Sequence, residues 1–175
     1  SIDELTKPIG IRIDVLVGVD ILNQYDNSID HERQVLEFSD EEDDVEGEAI
    51  PVELLSGIPV LEADVGGRRI KVFFDTGAPV SYATEDVLKD HPRVGTANDS
   101  YFTCGAFQTD LHRVPVTLGS RTFTLDIGVL PQALEKALLA VGVEGILGPA
   151  ILRYFMVAYM PRRRRLILAA RRQDL

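Results

Sequence analysis

The stretch from Ile70 to Ala78 constrains this chain more than any other. An apolar run (Ile70, Val72, Phe73, Phe74) drives directly into Asp75, Thr76 and Gly77. The run reads as a buried strand. A strand of this kind ordinarily ends in a solvated turn; here its tip offers a carboxylate, a neighbouring hydroxyl and a flexible backbone position. Such a tip holds a single acid at the floor of a cleft. The plainer reading of the same residues is a surface turn, because Asp and Gly are common turn residues. The surrounding elements decide between the two.

Those elements are mostly strands. Pro59 to Val65 and Arg69 to Phe74, joined by Gly66-Gly67, carry a strong hairpin signal. Thr84 to Lys89 suits one helical turn, with Thr84 as N-cap and Glu85-Asp86 in the first turn. Ser100 to Cys104 and Leu111 to Leu118 flank Gly105-Ala106-Phe107 and form a second hairpin, followed by a strand over Thr122 to Val129. Pro131 to Ala140 has a helical pattern that opens with proline and closes at Gly142. Gly145-Ile146-Leu147-Gly148 is a short apolar strand between glycines, Pro149 to Tyr154 a short helix, and Phe155 to Met160 with Leu166 to Ala170 a terminal hairpin. Arg162 to Arg165 therefore read as that hairpin's turn and strand start. No wider basic stripe with interleaved aromatics accompanies them, so nucleic acid is not an expected partner.

A chain of 175 residues buries one good core, with room for an appendage. Its apolar runs fall far short of the ~18 residues of a membrane-spanning helix. The N-terminal Ser1-Ile2-Asp3-Glu4-Leu5 is acidic and lacks a signal-segment pattern, and the absence of an initiator Met suggests a processed or trimmed chain. Cys104 is the single cysteine, which precludes an internal disulfide and leaves the compartment open. Eight acids crowd one stretch: Glu37, Asp40, Glu41, Glu42, Asp43, Asp44, Glu46 and Glu48. Taking those eight from the net charge of −10 leaves −2, so the rest of the chain is nearly balanced and the acidic run reads as a solvated linker.

The linker divides the chain into residues 1–38, a linker over 39–49 and a main domain over 50–175. The short N-terminal piece is not unrelated to the main domain. Val17-Gly18-Val19-Asp20-Ile21-Leu22 resembles Leu147-Gly148-Pro149-Ala150-Ile151-Leu152 at a constant offset of 130, the separation of Gly18 from Gly148 and of Leu22 from Leu152. The correspondence continues through Ile29 and Tyr159, and through Leu36 and Leu166. Both copies read as strand, glycine, short helix and hairpin. The first has no counterpart of Asp75-Thr76-Gly77, and it reads as the tail of a preceding, similar domain.

Taken together, residues from about Ile58 to Ala170 resemble the retropepsin-like aspartic proteases of retroviruses, bacteria and eukaryotes. Phe73-Phe74-Asp75-Thr76-Gly77-Ala78 is similar to that family's active-site signature. Ile146-Leu147-Gly148 is similar to its second signature, and the hairpin near Cys104-Gly105-Ala106-Phe107 stands where the family carries its flap. The chain departs from the pattern in Pro79 and in lacking a long glycine-rich flap tip. The resemblance implies a mostly β, retropepsin-like acid-protease fold: a closed, barrel-like half of a pepsin with one or two short helices. It implies an aspartic endopeptidase with Asp75 as catalytic acid. Thr76, Gly77, Ala78, Ile146, Leu147 and Gly148 would support the site, and Cys104, Gly105, Ala106 and Phe107 would contact substrate from the flap. No metal and no cofactor is implied.

One aspartate per domain demands a second copy, because two carboxylates in contact share a proton and divide the roles of base and acid. The second copy comes either from a symmetric homodimer or from an upstream repeat in a longer chain. The substrate would be a polypeptide. The competing reading is a catalytically inactive retropepsin-like module for dimerisation or peptide binding; the intact Asp75-Thr76-Gly77-Ala78 favours the enzyme. His31, His91 and His112 lack metal-ligand spacing and read as surface or turn residues. Neither a Gly-x-Ser-x-Gly elbow nor a phosphate-binding glycine loop is present.

Overall fold

A computed structural model describes residues 14–41, 44–101 and 105–170. Two sheets organise the chain. The larger is built from β4 (Glu53–Leu55), β5 (Ile58–Val65), β6 (Arg68–Phe74), β7 (Ser81–Ala83), β8 (Arg93–Tyr101), β9 (Gly105–Leu118), β10 (Arg121–Val129) and β11 (Gly145–Leu147), in the order β4-β5-β6-β11-β7-β10-β9-β8. An additional pairing of β5 with β9, Asp64 with Thr117 and Val65 with Val116, closes this sheet on itself. The smaller sheet runs β2-β1-β12-β13-β3, where β1 is Asp26–Asp30, β2 Val35–Ser39, β3 Glu48–Pro51, β12 Phe155–Met160 and β13 Arg165–Ala170.

Local chemistry accounts for the strongest elements. Strands β5 and β6 alternate buried and more exposed positions along much of their length, as one face turned to a core requires. Their turn needs left-handed backbone at two consecutive residues, and Gly66 and Gly67 supply it with φ of 63° and 86°. Gly66 has a second reason to lack a side chain: a Cβ there would stand 2.0 Å from Nε2 of His91. Inside the closed sheet, Leu61, Leu88, Val114, Val116, Leu118, Ile151, Leu166 and Leu168 are fully buried and form the centre of the core.

Helices are few and short among the described residues. Helix α1 is Val19–Leu22, α2 Glu85–Leu88 and α3 Gln132–Leu139, with a 3-10 turn over Pro149–Arg153. Thr84 does sit at the N-cap of α2, yet its side chain makes no capping hydrogen bond; its N–H instead donates to the Glu144 carbonyl.

Three expectations need correction. Gly105-Ala106-Phe107 do not form a turn: they begin β9 and pair with β8, Tyr101 against Gly105 and Asp99 against Phe107. Cys104, the remaining residue expected at the flap, lies outside the described residues. The hairpin is also longer than its polar sequence suggested, because β8 extends back to Arg93. Finally, two of the eight clustered acids are strand residues. Glu37 lies in β2, and Glu48 in β3, where it accepts hydrogen bonds from the Ser120 N–H and hydroxyl. Those bonds, with the Arg121 guanidinium, hold the Glu48 carboxyl below its ordinary range. Strand β3 thus straddles the boundary drawn at residue 50.

Candidate active site

Asp75 follows β6 immediately, and the loop it opens returns into β7. Between β6 and β7 runs β11. It lies parallel to β6 (Gly145 with Val72, Ile146 with Phe73, Leu147 with Phe74) and antiparallel to β7 (Gly145 with Ala83, Ile146 with Tyr82). The loop carrying Asp75 therefore straddles the end of a third strand. This explains why so apolar a run ends in an acid: β6 is paired with β5 up to Phe73 and with β11 up to Phe74, and the chain emerges at the barrel's edge with Asp75 exposed.

Backbone hydrogen bonds tie the loop to the strand beneath it. Asp75 N–H donates to the Leu147 carbonyl at 3.0 Å, and Ala78 N–H donates to the Asp75 carbonyl at 3.2 Å. Gly77 N–H donates to Oδ1 of the Asp75 side chain at 2.9 Å, which orients one carboxylate oxygen and leaves Oδ2 available to a reactant. A Cβ on Gly77 would sit 3.2 Å from that same Oδ1. Thr76 is half-buried at the turn between them.

Gly148 is the tightest position. A Cβ there would stand 2.8 Å from the Ala78 carbonyl oxygen and 3.2 Å from that of Val80, both rigid backbone atoms. Its buried N–H donates to the hydroxyl of Ser81 at 3.0 Å. Gly145 is as confined, with the Tyr82 carbonyl oxygen 2.6 Å from a Cβ position. Both glycines are required by close approach, because their φ values lie outside the left-handed region. Ile146 and Leu147 between them are buried, Leu147 in the main core and Ile146 in a second cluster.

That second cluster forms an apolar pad beside the loop. It holds Val60, Tyr82, Leu130, Leu134, Leu138, Val143 and Ile146, with Phe73, Ala78, Val80 and Phe107 packed against it. Phe107 brings in the β8–β9 hairpin, and Tyr82 meets that hairpin twice. Its ring lies 6.2 Å from that of Phe107, and its hydroxyl donates to Oδ2 of Asp99 at 2.5 Å. Asp99 and Phe107 face each other across the hairpin, so one tyrosine grips both strands. Burial, reinforced by the Asp99 carboxylate, pushes the Tyr82 phenol above its ordinary pKa, and it stays protonated.

The structure brings together Asp75, Thr76, Gly77, Ala78, Ile146, Leu147 and Gly148, and sets Phe107 against the same pad. Gly105 and Ala106 are exposed further out on the hairpin. Sequence reasoning missed Ser81, Tyr82 and Asp99. Ser81 lies in a short Pro- and Ser-containing segment that carries no strand periodicity. Asp99 lies in a polar run whose strand character comes from its partner β9.

No protein-family model and no curated protein matches the sequence. Solved structures do. A retropepsin-like aspartic protease from Rickettsia conorii superposes with a TM-score of 0.50 at 18% identity, over 73% of this chain and 93% of that one. The simian foamy virus (mac) protease covers 54% of this chain and 92% of its own at 20% identity, with a TM-score of 0.40. The EIAV protease, solved with an inhibitor, covers 55% and 86% at 18% identity, with a TM-score of 0.42. The fold is retropepsin-like and mostly β. No described helix is long and apolar enough to cross a membrane.

Proposed function

We propose that this chain provides one lobe of an aspartic endopeptidase and that Asp75 is its catalytic acid. One observation carries the reading. Asp75 sits on a loop straddling a threaded strand, its backbone bonded to Leu147 and its Oδ1 fixed by the Gly77 N–H. A surface turn has no need of such support, and a carboxylate held by it has one oxygen fixed and one presented.

The chemistry follows from pairing. A second aspartate from an equivalent lobe, placed against Asp75, shares one proton with it, since two adjacent carboxylates do not both ionise readily. The ionised member removes a proton from water, which attacks the peptide carbonyl. The protonated member donates to the carbonyl oxygen as it gains charge. No covalent intermediate forms. The β8–β9 hairpin lies over this pad through Tyr82 and Phe107 and offers strand edges on which an extended polypeptide can be held. Because the pair titrates as one unit, cleavage is favoured at acid pH and falls as the shared proton is lost.

The test is Asp75→Asn assayed on unfolded or extended peptides from acid to neutral pH, with a statine-type inhibitor alongside. The variant retains its fold, because Asn presents the same Oδ1 to Gly77, and loses at least about 10³-fold in kcat, within the range that removal of a member of a catalytic group produces. Cleavage that survives the substitution rules out Asp75 as the catalytic acid.

A further inference from the structure

The N-terminal hairpin occupies a telling place. Strand β1 pairs with β12 through Asn27–Tyr159, Ser28–Ala158 and Ile29–Val157. Adding 130 to Asn27 and Ile29 gives Val157 and Tyr159, so exchanging the two strands at that offset returns the same pairs. The pairing is two-fold symmetric about Ser28 and Ala158. The hairpins themselves agree as well. Each β1–β2 pair, from Asp26–Ser39 to Asp30–Val35, becomes a β12–β13 pair on adding 130, from Met156–Ala169 to Met160–Arg165. Their turns place a non-glycine residue at left-handed φ in the same position, Gln34 at 55° and Arg164 at 49°. Gly18 and Gly148 precede the two short helices with near-identical extended backbone.

Burial breaks this symmetry in one direction. Ile151, Leu166 and Leu168 are at most 1% exposed in the lobe's own core. Their counterparts Ile21, Leu36 and Phe38 are 45%, 52% and 45% exposed. Leu16, counterpart of the buried Ile146, is 64% exposed. The outer edge of β13 is covered by β3, while β2 ends the sheet among the described residues. The hairpin thus has the apolar face of a lobe's terminal hairpin with no lobe beneath it among the described residues. It is nevertheless firmly seated. Buried Asp26 takes a hydrogen bond from Arg163 at 2.9 Å, and Tyr159 donates to Asn23 at 2.7 Å.

We propose that residues 14–41 are the terminal hairpin of a second lobe of this same fold, joined through them in one polypeptide, and that this lobe supplies the aspartate facing Asp75. The inference rests on the reading of Asp75 as half of a catalytic pair. Two physical arguments exclude a second identical chain from that role. The edge of β12 on which such a chain would pair is filled by β1. The exposed face also asks for the apolar core that a lobe of this kind places under its own hairpin. The Leu147 carbonyl holds the Asp75 N–H, and Val17 stands in the matching position to hold that of the second aspartate.

Three measurements on the full-length polypeptide decide it. With Cys104→Ser as background, Ser28→Cys and Ala158→Cys together form a disulfide within one chain, seen on non-reducing gels and by sedimentation as a single-chain particle. A cross-linked dimer overturns the proposal. Leu36→Ser lowers Tm about as much as Leu166→Ser, because both are core residues in the two-lobed protein; an unchanged Tm for Leu36→Ser overturns it. Per mole of total chain, an equal mixture of wild type and Asp75→Asn refolded together has about half the activity of pure wild type if each chain holds a complete pair, and about a quarter if sites form between two chains; the quarter overturns it. Full activity in unmixed Asp75→Asn instead defeats the catalytic reading, and the cross-link and Tm results still decide where the second lobe lies.

Discussion

The floor beneath Asp75 and the hairpin beside it are built to opposite rules. In the floor, β11 is paired on both edges, and Gly145 at its start and Gly148 just past its end press against backbone carbonyls at less than 3 Å from any Cβ they might carry. In the hairpin, β8 is an edge strand of polar residues, and a Cβ at Gly95 meets nothing within 4 Å. The floor fixes a carboxylate and has no slack; the hairpin leans on the floor chiefly through Tyr82 and has much. A site that must hold reacting groups within a fraction of an ångström and still admit a polypeptide needs both kinds of structure.

The largest effect that tests this contrast is Gly148→Ala. The new methyl must displace the Ala78 and Val80 carbonyls, and neither is the end of a flexible side chain. Overpacking of this kind costs about 3 kcal/mol. The Asp75 N–H is bonded to the adjacent Leu147 carbonyl, so the loop shifts with it. A shift approaching 1 Å lowers kcat by about 10²-fold. Chemical denaturation and peptide cleavage measure the two losses. A variant with wild-type stability removes the claim that the floor has no slack.

Next comes Ser81→Ala. It deletes the acceptor for the buried Gly148 N–H and leaves that donor without its partner, at a cost of about 1–3 kcal/mol. Ser81→Thr keeps the hydroxyl and recovers most of the loss, which separates the hydrogen bond from mere volume. Denaturant midpoints with an unchanged m-value are the readout.

Tyr82→Phe reaches the link between the two regions. It keeps the ring against Phe107 and removes only the hydrogen bond to Asp99. The expected loss is about 1–2 kcal/mol, because the bond is to a charged group in a half-buried setting. Functionally the effect falls on KM more than on kcat, since the hairpin loosens and Asp75 does not move. The sign with pH is fixed by the raised phenol. A neutral tyrosine stabilised by folding contributes fully below the ordinary tyrosine pKa of about 10 and is lost only at still higher pH. The gap between wild type and Tyr82→Phe is therefore fully present at neutral pH and narrows as the pH rises into alkali through the raised phenol pKa.

The floor was far more legible in the sequence than the hairpin, and for a physical reason. Apolar runs such as Val72-Phe73-Phe74 and Ile146-Leu147 announce burial on their own, and glycines beside them announce close approach. The pairing of two distant short strands around a third is non-local, so Ser81 and Tyr82 gave no periodic signal of their membership in β7. The hairpin misled in the other direction. Gly105-Ala106-Phe107 have turn composition, yet register with Asp99 to Tyr101 keeps them in strand. Arg93 to Ser100 have polar composition and become strand because β9 gives their backbone partners. Thr84 shows the same override on a smaller scale: it stands at the N-cap, but its side chain makes no capping hydrogen bond, and the Val87 N–H donates to its backbone carbonyl.

Gly95→Ala has the smallest expected effect and completes the contrast with Gly148→Ala, since the covalent change is identical. Gly95 lies where β8 shifts register against β9, its φ is not left-handed, and the space its side chain would enter is open. Alanine therefore adopts the native backbone without strain and reduces the freedom of the unfolded chain, which stabilises by about 0.4–1 kcal/mol. Cleavage should be unchanged, because no contact to Asp75 or Tyr82 is touched. A small rise in the denaturant midpoint supports the view that the hairpin has room to spare. A loss comparable to that of Gly148→Ala would mean that β8 is packed as tightly as the floor, and that the two regions obey one rule after all.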